Sequence, residues 1–435
     1  MAGTLILSVN AGSSSLKISV FQPTVSSDTN RVEEPVSLLL TASLSNLSSP
    51  PATFSSSANA QISRAKNVKH NEEADGVKDH ESGFEYFLDH LQRETTLEKK
   101  DIVYVCHRVV HGGDYPGPVL ISPESYHHIE GLSDLAPLHN GAALTVIKAC
   151  MKILPGSHSI AYFDSSFHAT IPPHISKYMI DTEIAEQKGL KKYGFHGSSY
   201  QFILRTVAQH LSKPISQTNL IVMHLGSGAS ICAIKDGKSL DTSMGLTPVD
   251  GLPGATRSGA IDPSLIFHYT SDAGKISHSA TGNVHVTEAE DILNKRSGWK
   301  ALTGTTDFGQ IVQGTFNPSD PLYLKYKLAF DIFLDRILNF LGAYYLKLGG
   351  SGHLDAVVFS GGIGERSKEL REAVIERCAC LGFKLDKRKN TGVDEVDGSV
   401  VEIGEGDAAA KVMVCRTDEQ LEMARQCALD KDPST

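Results

Sequence analysis

The stretch LILSVNAGSSSLKISVF, residues 5–21, predicts a strand, a tight polar turn and a second strand. Residues 5–9 form a short aliphatic run, and residues 17–21 alternate as a half-buried strand does. The turn between them is built of small residues, whose backbone N–H and hydroxyl groups are hydrogen-bond donors. Such a turn suits a phosphate, with Lys17 adding positive charge at its edge, although an ordinary Ser/Gly hairpin turn has the same composition.

Length and composition bound the class of protein. The 435 residues exceed what one hydrophobic core usually serves, so we expect two domains. Hydrophobic residues make up 40% of the chain, and its 38 glycines fit an α/β protein with glycine turns at strand ends. The net charge of −9 argues against binding to nucleic acid or to an anionic membrane, since either would need a basic face. A local cluster of Lys and Arg would still allow a phosphate substrate.

The cysteines and the hydropathy pattern indicate a cytoplasmic protein. Seven cysteines are scattered in mostly apolar contexts, as is typical of reduced thiols in a cytosolic chain. A strand that begins next to the N-terminus leaves no room for a secretory signal. The most apolar long segment, residues 328–346, is broken by Asp331, Asp335, Arg336 and Asn339, so it predicts a packed helix and not a membrane span.

The region after the first hairpin carries few structure signals. Residues 25–80 are rich in Ser and charged residues, so we expect a loosely packed surface excursion with a strand or two, residues 36–44 being one candidate. A helical pattern resumes over residues 82–98. Four apolar side chains fall on one face of that helix: Phe84, Phe87, Leu88 and Leu91.

Two further strands are predicted to deliver polar residues at their ends. Residues 102–106 lead into HRVVHGG, residues 107–113, and residues 159–163 end at Asp164. A loop or helix cap is the ordinary role for an Asp in that place. The alternative is a carboxylate held at the edge of a sheet for chemistry.

The opening hairpin has a near-copy in the second half of the chain. NLIVMHLGSGASICAIK, residues 219–235, can be laid over TLILSVNAGSSSLKISV, residues 4–20, without a gap. A third glycine turn, SGGIGE at 360–365, follows the strand predicted over 356–359 and opens a helix. Two copies of one hairpin predict two domains built on one plan, and three Gly/Ser turns at strand ends predict a cleft that holds a polyphosphate.

Nine motifs in this order resemble those of the acetokinase family, within the superfamily that includes actin and hexokinase. The resemblance covers nearly the whole chain and is far more specific than any one glycine loop. The motifs are NAGSSSLK (10–17), HRVVHGG (107–113), LAPLHN (135–140), FDSSFH (163–168), YGFHG (193–197), HLGSGAS (224–230), DTSMGLTP (241–248), TRSGAIDP (256–263) and FSGGIGE (359–365).

The resemblance implies an α/β fold with two duplicated actin/hexokinase-like domains, each a mixed five-stranded sheet flanked by helices, around a central cleft. Residues 1–165 and 420–435 would form the N-terminal domain, including the 25–80 excursion. Residues 166–419 would form the C-terminal, nucleotide-binding domain. The resemblance also implies a homodimer.

The implied activity is acetate kinase: reversible phosphoryl transfer between ATP and acetate, which gives ADP and acetyl phosphate. Acetate would attack the γ-phosphate directly and in line, with Mg²⁺ as cofactor and Mn²⁺ as an alternative. Because acetate is already ionised at neutral pH, no strong base is required, and catalysis rests on positioning and charge. Such a site should be rich in Arg, His and metal ligands.

Two arginines are the best candidates to neutralise the reacting anions. A guanidinium offers a planar fork that fits carboxylate or phosphoryl oxygens. Arg108 stands at a predicted strand end and Arg257 in a Gly/Ser-rich loop, so both can reach a cleft. The resemblance implies that Arg108, Arg257, His196, Asp164 and Asn10 are catalytic, with His196 and Arg257 stabilising the transition state.

The resemblance also implies binding residues. The acetate site would be formed by Arg108, Val110, Leu138, Phe195 and Pro248. Arg108 would bind the carboxylate, and the other four would form an apolar pocket for the methyl group. Nucleotide contacts would come from Ser13, Ser15, Lys17, His224, Leu225, Gly226, Ser227, Gly228, Gly361, Gly362, Ile363 and Gly364. Metal ligands would be Asn10 and Glu419.

Glu419 has two interpretations. Residues 417–420, TDEQ, match the T-x-x-Q pattern of a capping box that would start a helix at Thr417, and acidic residues favour a first helical turn. The resemblance makes Glu419 a magnesium ligand, direct or through water. Both interpretations are compatible.

Three residues depart from the usual motifs of the family. Ser227 stands where HLGNGAS has Asn, Tyr200 replaces a usual His, and Ala260 replaces an acidic or amide residue. Ser is shorter than Asn, so the phosphate contact at Ser227 is the one most affected.

Three rival functions remain at this stage. Pyrophosphate could replace ATP as donor, although the intact SGGIGE turn favours a nucleotide. Propionate or butyrate could replace acetate, because a methylene in an apolar pocket changes selectivity by only about 1–3 kcal/mol. A non-catalytic, nucleotide-driven clamp is the third, but it would not need the set Arg108, Arg257 and His196.

Overall fold

A computed structural model describes residues 4–12, 14–24, 34–47, 51–63, 69–132, 137–277 and 286–430, with side chains described over the same ranges except 69–70 and 137–139. Contacts divide the chain into unit 1, Met1–Ser166 with Asp418–Thr435, and unit 2, Phe167–Thr417. The strands are β1 Leu5–Ala11, β2 Ser15–Pro23, β3 Val36–Ser45, β4 Thr53–Ala58, β5 Lys69–Glu73, β6 Ile102–Val109, β7 Val119–Leu120, β8 His158–Phe163, β9 Leu220–Leu225, β10 Ala229–Lys235, β11 Lys238–Thr242, β12 Ala356–Ser360, β13 Val400–Glu402 and β14 Lys411–Cys415.

The α-helices within those residues complete the two units. They are α1 His80–Glu94, α2 Pro123–Gly131, α3 Pro137–Ile153, α4 Pro173–Ser176, α5 Thr182–Lys188, α6 Gly197–His210, α7 Leu265–Tyr269, α8 Glu288–Lys295, α9 Gly298–Thr303, α10 Phe308–Thr315, α11 Tyr323–Lys347, α12 Gly361–Arg366, α13 Lys368–Arg377, α14 Lys387–Thr391 and α15 Glu419–Leu429.

The sheet of unit 1 is built outward from the opening hairpin. Over the described residues its strand order is β5-β4-β3-β2-β1-β6-β8-β7. The hairpin β1–β2 is antiparallel, with Asn10 opposite Lys17, while β1 runs parallel to β6 and β6 parallel to β8. Parallel neighbours place their carboxyl ends at one edge of the sheet, so β1, β6 and β8 all point their final residues the same way.

The sheet of unit 2 repeats this plan. Its order over the described residues is β11-β10-β9-β12-β14-β13. The second hairpin, β9–β10, is antiparallel, and β9 runs parallel to β12, which runs parallel to β14. The series β3-β2-β1-β6-β8 and β11-β10-β9-β12-β14 therefore match in order and in direction. The predicted α/β fold with two duplicated domains is confirmed, and both sheets are wider than the five strands expected.

The strand expected over residues 36–44 is confirmed as β3, but the region from residue 25 to residue 80 is more closely packed than the expected surface excursion. Its described parts form β3, β4 and β5, which extend the sheet of unit 1, and residues 25–33, 48–50 and 64–68 lie outside the described residues. Leu40, Leu44 and Phe54 are fully buried and pack on the same core as α1. The apolar side chains are spaced two apart among serines, so composition hid a period-2 strand pattern.

The helices cover the sheets with apolar faces. Helix α1 buries the four predicted side chains, so the helix expected over residues 82–98 is confirmed, ending at Glu94. The long helix α11 buries Phe333, Ile337 and Leu341 in the core of unit 2, as expected of a packed helix. Across the described ranges, every helix is too short or too polar to cross a membrane.

Candidate active site

The carboxyl ends of three parallel strands bring polar side chains together in unit 1. Asn10 lies near the end of β1, Arg108 near the end of β6, and Asp164 directly after β8. The first residue of α15, Glu419, reaches the same group. We call Asn10, Arg108, Asp164 and Glu419 the carboxylate–arginine cluster.

Arg108 is the centre of this cluster. Its Nε and Nη2 donate to the Asp164 carboxylate, with Nη2 2.6 Å from Oδ2 and Nε 3.1 Å from Oδ1. Its Nη1 lies 3.2 Å from Oε2 of Glu419 and 3.4 Å from Oδ1 of Asn10. The side chain of Asp164 is only 1% exposed, whereas that of Arg108 is 18% exposed. A two-point pair with a buried carboxylate fixes the plane of the guanidinium, and the side chain stays partly exposed to solvent.

The electrostatics of the cluster depend on burial. Burial would lower the pKa of Arg108, but Asp164 and Glu419 raise it above its usual range, so the guanidinium stays charged. Burial raises the pKa of Glu419, and Arg108 and Lys17 act against that rise. The Asn10 amide also donates to Oε2 of Glu419 over 3.3 Å. Glu419 is therefore a carboxylate that gains from additional positive charge nearby.

The helix that carries Glu419 begins differently from the capping box expected at Thr417. Asp418 is the N-cap, and its carboxylate accepts a hydrogen bond from the backbone N–H of Leu421 over 2.9 Å. The hydroxyl of Thr417 instead bonds to that of Ser199, 2.8 Å away. The capping-box interpretation was wrong because an Asp one residue later supplies the same acceptor.

Lys17 lies beside this cluster on the hairpin partner strand. It is opposite Asn10 on β1 and opposite Ser43 on β3, and its side chain is exposed. It lines an open cavity of about 490 Å³ over the outer strands of the sheet, together with Thr41, Ala42, Ser43, Ser55, Ser56, Ser57, Asn71 and Gln420. Of the other hairpin residues, Ser15 is half-buried, and Ser13 lies outside the described residues.

Unit 2 brings together histidines and an arginine at the turn of its own hairpin. A Cβ built on Gly228 would lie 2.9 Å from Nη1 of Arg257 and 3.9 Å from Nε2 of His196. The imidazole of His196 stacks on that of His224, with ring centroids 4.2 Å apart and 19° between the planes. We call His196, His224, Arg257 and Gly228 the histidine–arginine cluster. Any side chain at Gly228 would fill the space that these groups face.

Backbone hydrogen bonds hold the loop of Arg257 against this turn. The N–H of Ala255 donates to the carbonyl of Ser227 over 2.8 Å, and the N–H of Gly254 donates to the carbonyl of Arg257 over 3.0 Å. The guanidinium is therefore carried by a loop that is attached to the glycine turn at a fixed distance.

His196 has an unusual backbone conformation. Its φ is 60°, in the left-handed region, and it is the N-cap of α6. The residue before it, Phe195, is buried, and its carbonyl lies 3.0 Å from Nε2 of the buried His168. Holding a non-glycine residue at positive φ costs free energy, so the surrounding packing imposes this geometry.

The SGGIGE turn folds back on the second hairpin. Gly361 has a φ of 74°, and a Cβ built on it would lie 2.7 Å from the carbonyl oxygen of Leu225. Glu365 accepts hydrogen bonds from the N–H of Gly361 over 3.0 Å and from that of Thr417 over 3.2 Å. Gly361 to Gly364 form the first turn of α12, so the expected glycine turn is itself helical.

The remaining predicted binding residues lie in both units. Val110 belongs to unit 1 and is half-buried, whereas Phe195 and Pro248 belong to unit 2 and are buried. The backbone of Leu138 lies in α3, and its side chain lies outside those described. The remaining predicted nucleotide-binding residues all belong to unit 2, and they are Leu225, Gly226, Ser227, Gly362, Ile363 and Gly364. Leu225 lies in the hydrophobic core of that unit, and Ile363 packs against it.

Sequence reasoning missed the hydrogen-bond partners of the stacked histidines. Nδ1 of His196 lies 2.8 Å from the hydroxyl of Ser230, and Nδ1 of His224 lies 2.7 Å from that of Ser199. Ser230 lies opposite His224 in the β9–β10 register. The pairing could have been found by aligning the hairpin as antiparallel strands, which puts Ser230 beside the histidines.

The strand order that recurs in both units defines an actin/hexokinase-like fold of two duplicated domains. Within that class, the profile described as "Acetokinase family" matches residues 5–425, and the chain belongs to the acetokinase family. A protein named probable acetate kinase from Emericella nidulans is 50% identical over 429 residues, 97% of either chain.

Solved structures agree with this assignment. A propionate kinase from Francisella tularensis is 35% identical, covers 97% of this chain and 98% of its own, and superposes with a TM-score of 0.81. An acetate kinase from Porphyromonas gingivalis is 30% identical with the same coverage and a TM-score of 0.79. The predicted family and fold class are confirmed.

Proposed function

We propose that this chain is an acetate kinase, which transfers a phosphoryl group between ATP and acetate to form acetyl phosphate and ADP. The observation that carries the proposal is the carboxylate–arginine cluster, in a chain that is 50% identical to a protein named probable acetate kinase. The cluster combines a fixed guanidinium for an anion with hard oxygen donors for a metal. It contains no activated nucleophile, and none is required when the acceptor is an ionised carboxylate.

The cluster suits a magnesium ion. Mg²⁺ prefers oxygen ligands and keeps several of its waters, so one or two protein oxygens suffice. The Glu419 carboxylate and the Asn10 amide oxygen provide such donors. Burial raises the pKa of Glu419, and a nearby cation would lower that pKa again because it stabilises the carboxylate. When bound, the metal would neutralise phosphate charge. Glu419 and Asn10 would hold it, and Asp164 would keep Arg108 oriented.

The protein groups have separate tasks in the proposed reaction. Arg108 binds and orients the acetate carboxylate or the phosphoryl oxygens through the part of its side chain that is exposed to solvent. Arg257 and His196, which face the same glycine turn, donate hydrogen bonds to the phosphoryl group as its charge redistributes. Gly226 to Gly228 offer backbone N–H groups to the phosphates, and Gly361 to Gly364 receive the nucleoside.

A hydroxamate assay tests the function. The purified chain with acetate and Mg-ATP should form acetyl phosphate, which hydroxylamine traps as a coloured hydroxamate. Pyrophosphate should not replace ATP. Activity with pyrophosphate alone would overturn the nucleotide assignment, and absence of product with either donor would overturn the kinase assignment in favour of a non-catalytic clamp.

Propionate is the second candidate substrate, because the structure from Francisella tularensis is that of a propionate kinase. One additional methylene on the substrate changes the free energy of transition-state binding in an apolar pocket by only about 1–3 kcal/mol. Propionate should therefore be a poor substrate but should not be rejected. The kcat/KM values for acetate, propionate and butyrate decide the order. A maximum at propionate or butyrate would contradict the assignment to acetate.

Replacing Glu419 tests the metal site. Glu419→Gln should raise the Mg²⁺ concentration for half-maximal activity by about tenfold or more, because it removes the charged metal ligand. The measurements are a magnesium titration of turnover and the thermal shift that Mg-ADP produces. Asp418→Asn is the matched control, since it removes the adjacent charge while Asn still caps α15. Equal magnesium dependence in both variants would contradict the assignment.

We also propose a homodimer formed through α11 of unit 2. Leu324 and Leu328 are 78% and 51% exposed, and residues four apart lie on one face of a helix. A second copy of this chain is the proposed occupant, as the family resemblance implies. Light scattering should give twice the chain mass, and Leu324→Asp with Leu328→Asp should halve it. A dimer that survives both substitutions would place the interface elsewhere.

A cytoplasmic location completes the proposal. All seven cysteines are free thiols in the structure, including the neighbouring Cys106 and Cys427 in one buried core. Free thiols are typical of reducing compartments.

A further inference from the structure

A chain of three hydrogen-bonding groups runs from the interior of unit 2 to His196. The Tyr200 hydroxyl lies 2.5 Å from Oγ of Ser230, and the same Oγ lies 2.8 Å from Nδ1 of His196. Tyr200 is fully buried, and its ring packs against those of Phe167 and His168, with centroids 6.1 and 5.6 Å away. Ser230 is therefore the link between a buried phenol and an imidazole of the histidine–arginine cluster.

The direction of this chain follows from counting donors and acceptors. Among the residues that the structure describes, Ser230 Oγ is the hydrogen-bond partner of the Tyr200 hydroxyl. Leaving a buried hydroxyl proton without an acceptor is costly, so Tyr200 donates to Ser230. Ser230 then has one proton, which it donates to Nδ1 of His196. A neutral imidazole that accepts at Nδ1 carries its own proton on Nε2.

The reverse direction is less favourable. If Nδ1 of His196 carried a proton, it would donate to Ser230, and only two acceptor arrangements would remain. Either Ser230 accepts from both neighbours and its own proton lacks an acceptor among the described residues, or Ser230 donates to the Tyr200 oxygen. In the second arrangement the phenol proton lacks an acceptor within the described surroundings of Tyr200, so either arrangement leaves one buried hydroxyl proton unpaired there. Burial also raises the pKa of the Tyr200 phenol well above its usual range, so Tyr200 cannot relieve the conflict by losing that proton.

The protonated nitrogen is the one that faces the glycine turn. Nε2 of His196 lies 3.9 Å from the position of a Cβ built on Gly228, and Nη1 of Arg257 lies 2.9 Å from the same position. An N–H on Nε2 can donate to a phosphoryl oxygen, whereas an unprotonated Nε2 would repel it. The tautomer therefore decides whether His196 assists or opposes an anion at this turn.

We propose that Tyr200 is a positioning residue which, through Ser230, holds neutral His196 in the tautomer with its proton on Nε2. The consequence for catalysis rests on the proposed kinase function, but the tautomer itself does not. A buried phenol would thus orient His196 through the hydroxyl of Ser230.

Nitrogen-15 NMR of the full chain labelled at histidine tests the tautomer without turnover. His196 is assigned from the signals lost in His196→Gln. We expect a protonated Nε2 and an accepting Nδ1 in the wild type. Both tautomers should become populated in Tyr200→Phe, because Ser230 is then free to donate or to accept. A protonated Nδ1 in the wild type, or an unchanged tautomer in Tyr200→Phe, would overturn the proposal.

Kinetics test the positioning role. Tyr200→Phe and Ser230→Ala should each lower kcat about tenfold with KM for ATP little changed, and the double variant should lose no more than either one. Ser230→Thr, which keeps the hydroxyl, should restore kcat. Tyr344→Phe is the matched control, because Tyr344 is buried in the same unit and its hydroxyl has no hydrogen-bond partner among the residues that the structure describes. An altered tautomer with unchanged kcat would refute the positioning role, whereas a wild type without kinase activity would refute the proposed function and leave the NMR result to decide the tautomer.

Discussion

Arg257→Ala should lower kcat by about three orders of magnitude while the affinity for ATP changes little. An arginine that meets the developing charge of a transferring phosphoryl group contributes about 10³–10⁵ to the rate in other phosphotransferases. Arg257 has the placement for this role, because its Nη1 faces the same point of the glycine turn as Nε2 of His196. Contacts made mainly in the transition state affect kcat, whereas contacts made equally in the ground state affect KM.

The affinity for ATP should survive because the predicted nucleotide residues keep their own supports. The N–H of Gly361 still donates to the Glu365 carboxylate, and the N–H of Ala255 still donates to the carbonyl of Ser227, since the substitution touches none of these groups. Steady-state kinetics give kcat, and calorimetry with ATP in the absence of acetate gives the dissociation constant. Arg257→Lys should recover part of the rate, since Lys keeps the charge but loses the planar fork.

Arg296→Ala is the matched control for this experiment. Arg296 also belongs to unit 2, but its side chain is 47% exposed and forms ion pairs with Glu288 and Asp291 on α8. Asp291 is buried but keeps Lys295 as a second cationic partner 3.7 Å away, so turnover should stay near the wild-type value and stability should fall only modestly. If Arg257→Ala turned over as fast as Arg296→Ala, Arg257 would have no part in catalysis.

The duplication of the fold was predictable because hairpin geometry is local. The ungapped match between residues 4–20 and 219–235 repeats an apolar strand, a Gly/Ser turn and a second apolar strand. Both segments fold as antiparallel hairpins, although the last pair before the turn is Ala11–Leu16 in the first and Leu225–Ala229 in the second. The residues at the ends of β1, β6 and β8 were also predictable, since parallel strands deliver their last residues to one edge.

Other features depend on partners that are distant in sequence. The strands β3 and β4 are rich in serine and β5 is polar, so their composition suggested a loosely packed excursion, yet pairing beside β2 buries Leu44 and Phe54. Likewise, the bond between Ser230 and Tyr200 joins a strand to a helix that lies 30 residues away. Such contacts arise from packing, which a pattern of neighbouring residues does not contain.

The second large effect on turnover is expected from Asp164→Asn, in the carboxylate–arginine cluster. The substitution should lower kcat by about two to four orders of magnitude and destabilise the protein by about 3 kcal/mol. Asn keeps the size of Asp, but it removes the charge that holds Arg108 at 2.6 Å and turns an amide donor toward a group that only donates. Arg108 then keeps Glu419 as its single carboxylate partner and loses its fixed plane.

Loss of orientation should exceed loss of stability in its effect on the rate. Reactants held in line gain much of their advantage from position, so a small rotation of Arg108 costs more than the lost ion pair alone. Activity is therefore measured at a temperature where the variant remains folded, and the free energy of unfolding is measured separately by urea denaturation. Under those conditions the KM for acetate should rise as well, because Arg108 is the proposed ligand of the substrate carboxylate.

Asp355→Asn separates these two effects. Asp355 is also paired with a cation, Lys213 at 2.6 Å, and accepts a hydrogen bond from the N–H of Asn219 over 2.8 Å. It directly precedes β12, at the end of that strand opposite to the SGGIGE turn. We expect Asp355→Asn to lose stability but to keep its kcat. An equal fall of kcat in both variants would show that Asp164 acts only through stability, whereas a fall confined to Asp164→Asn requires that this carboxylate orients Arg108 for the reaction.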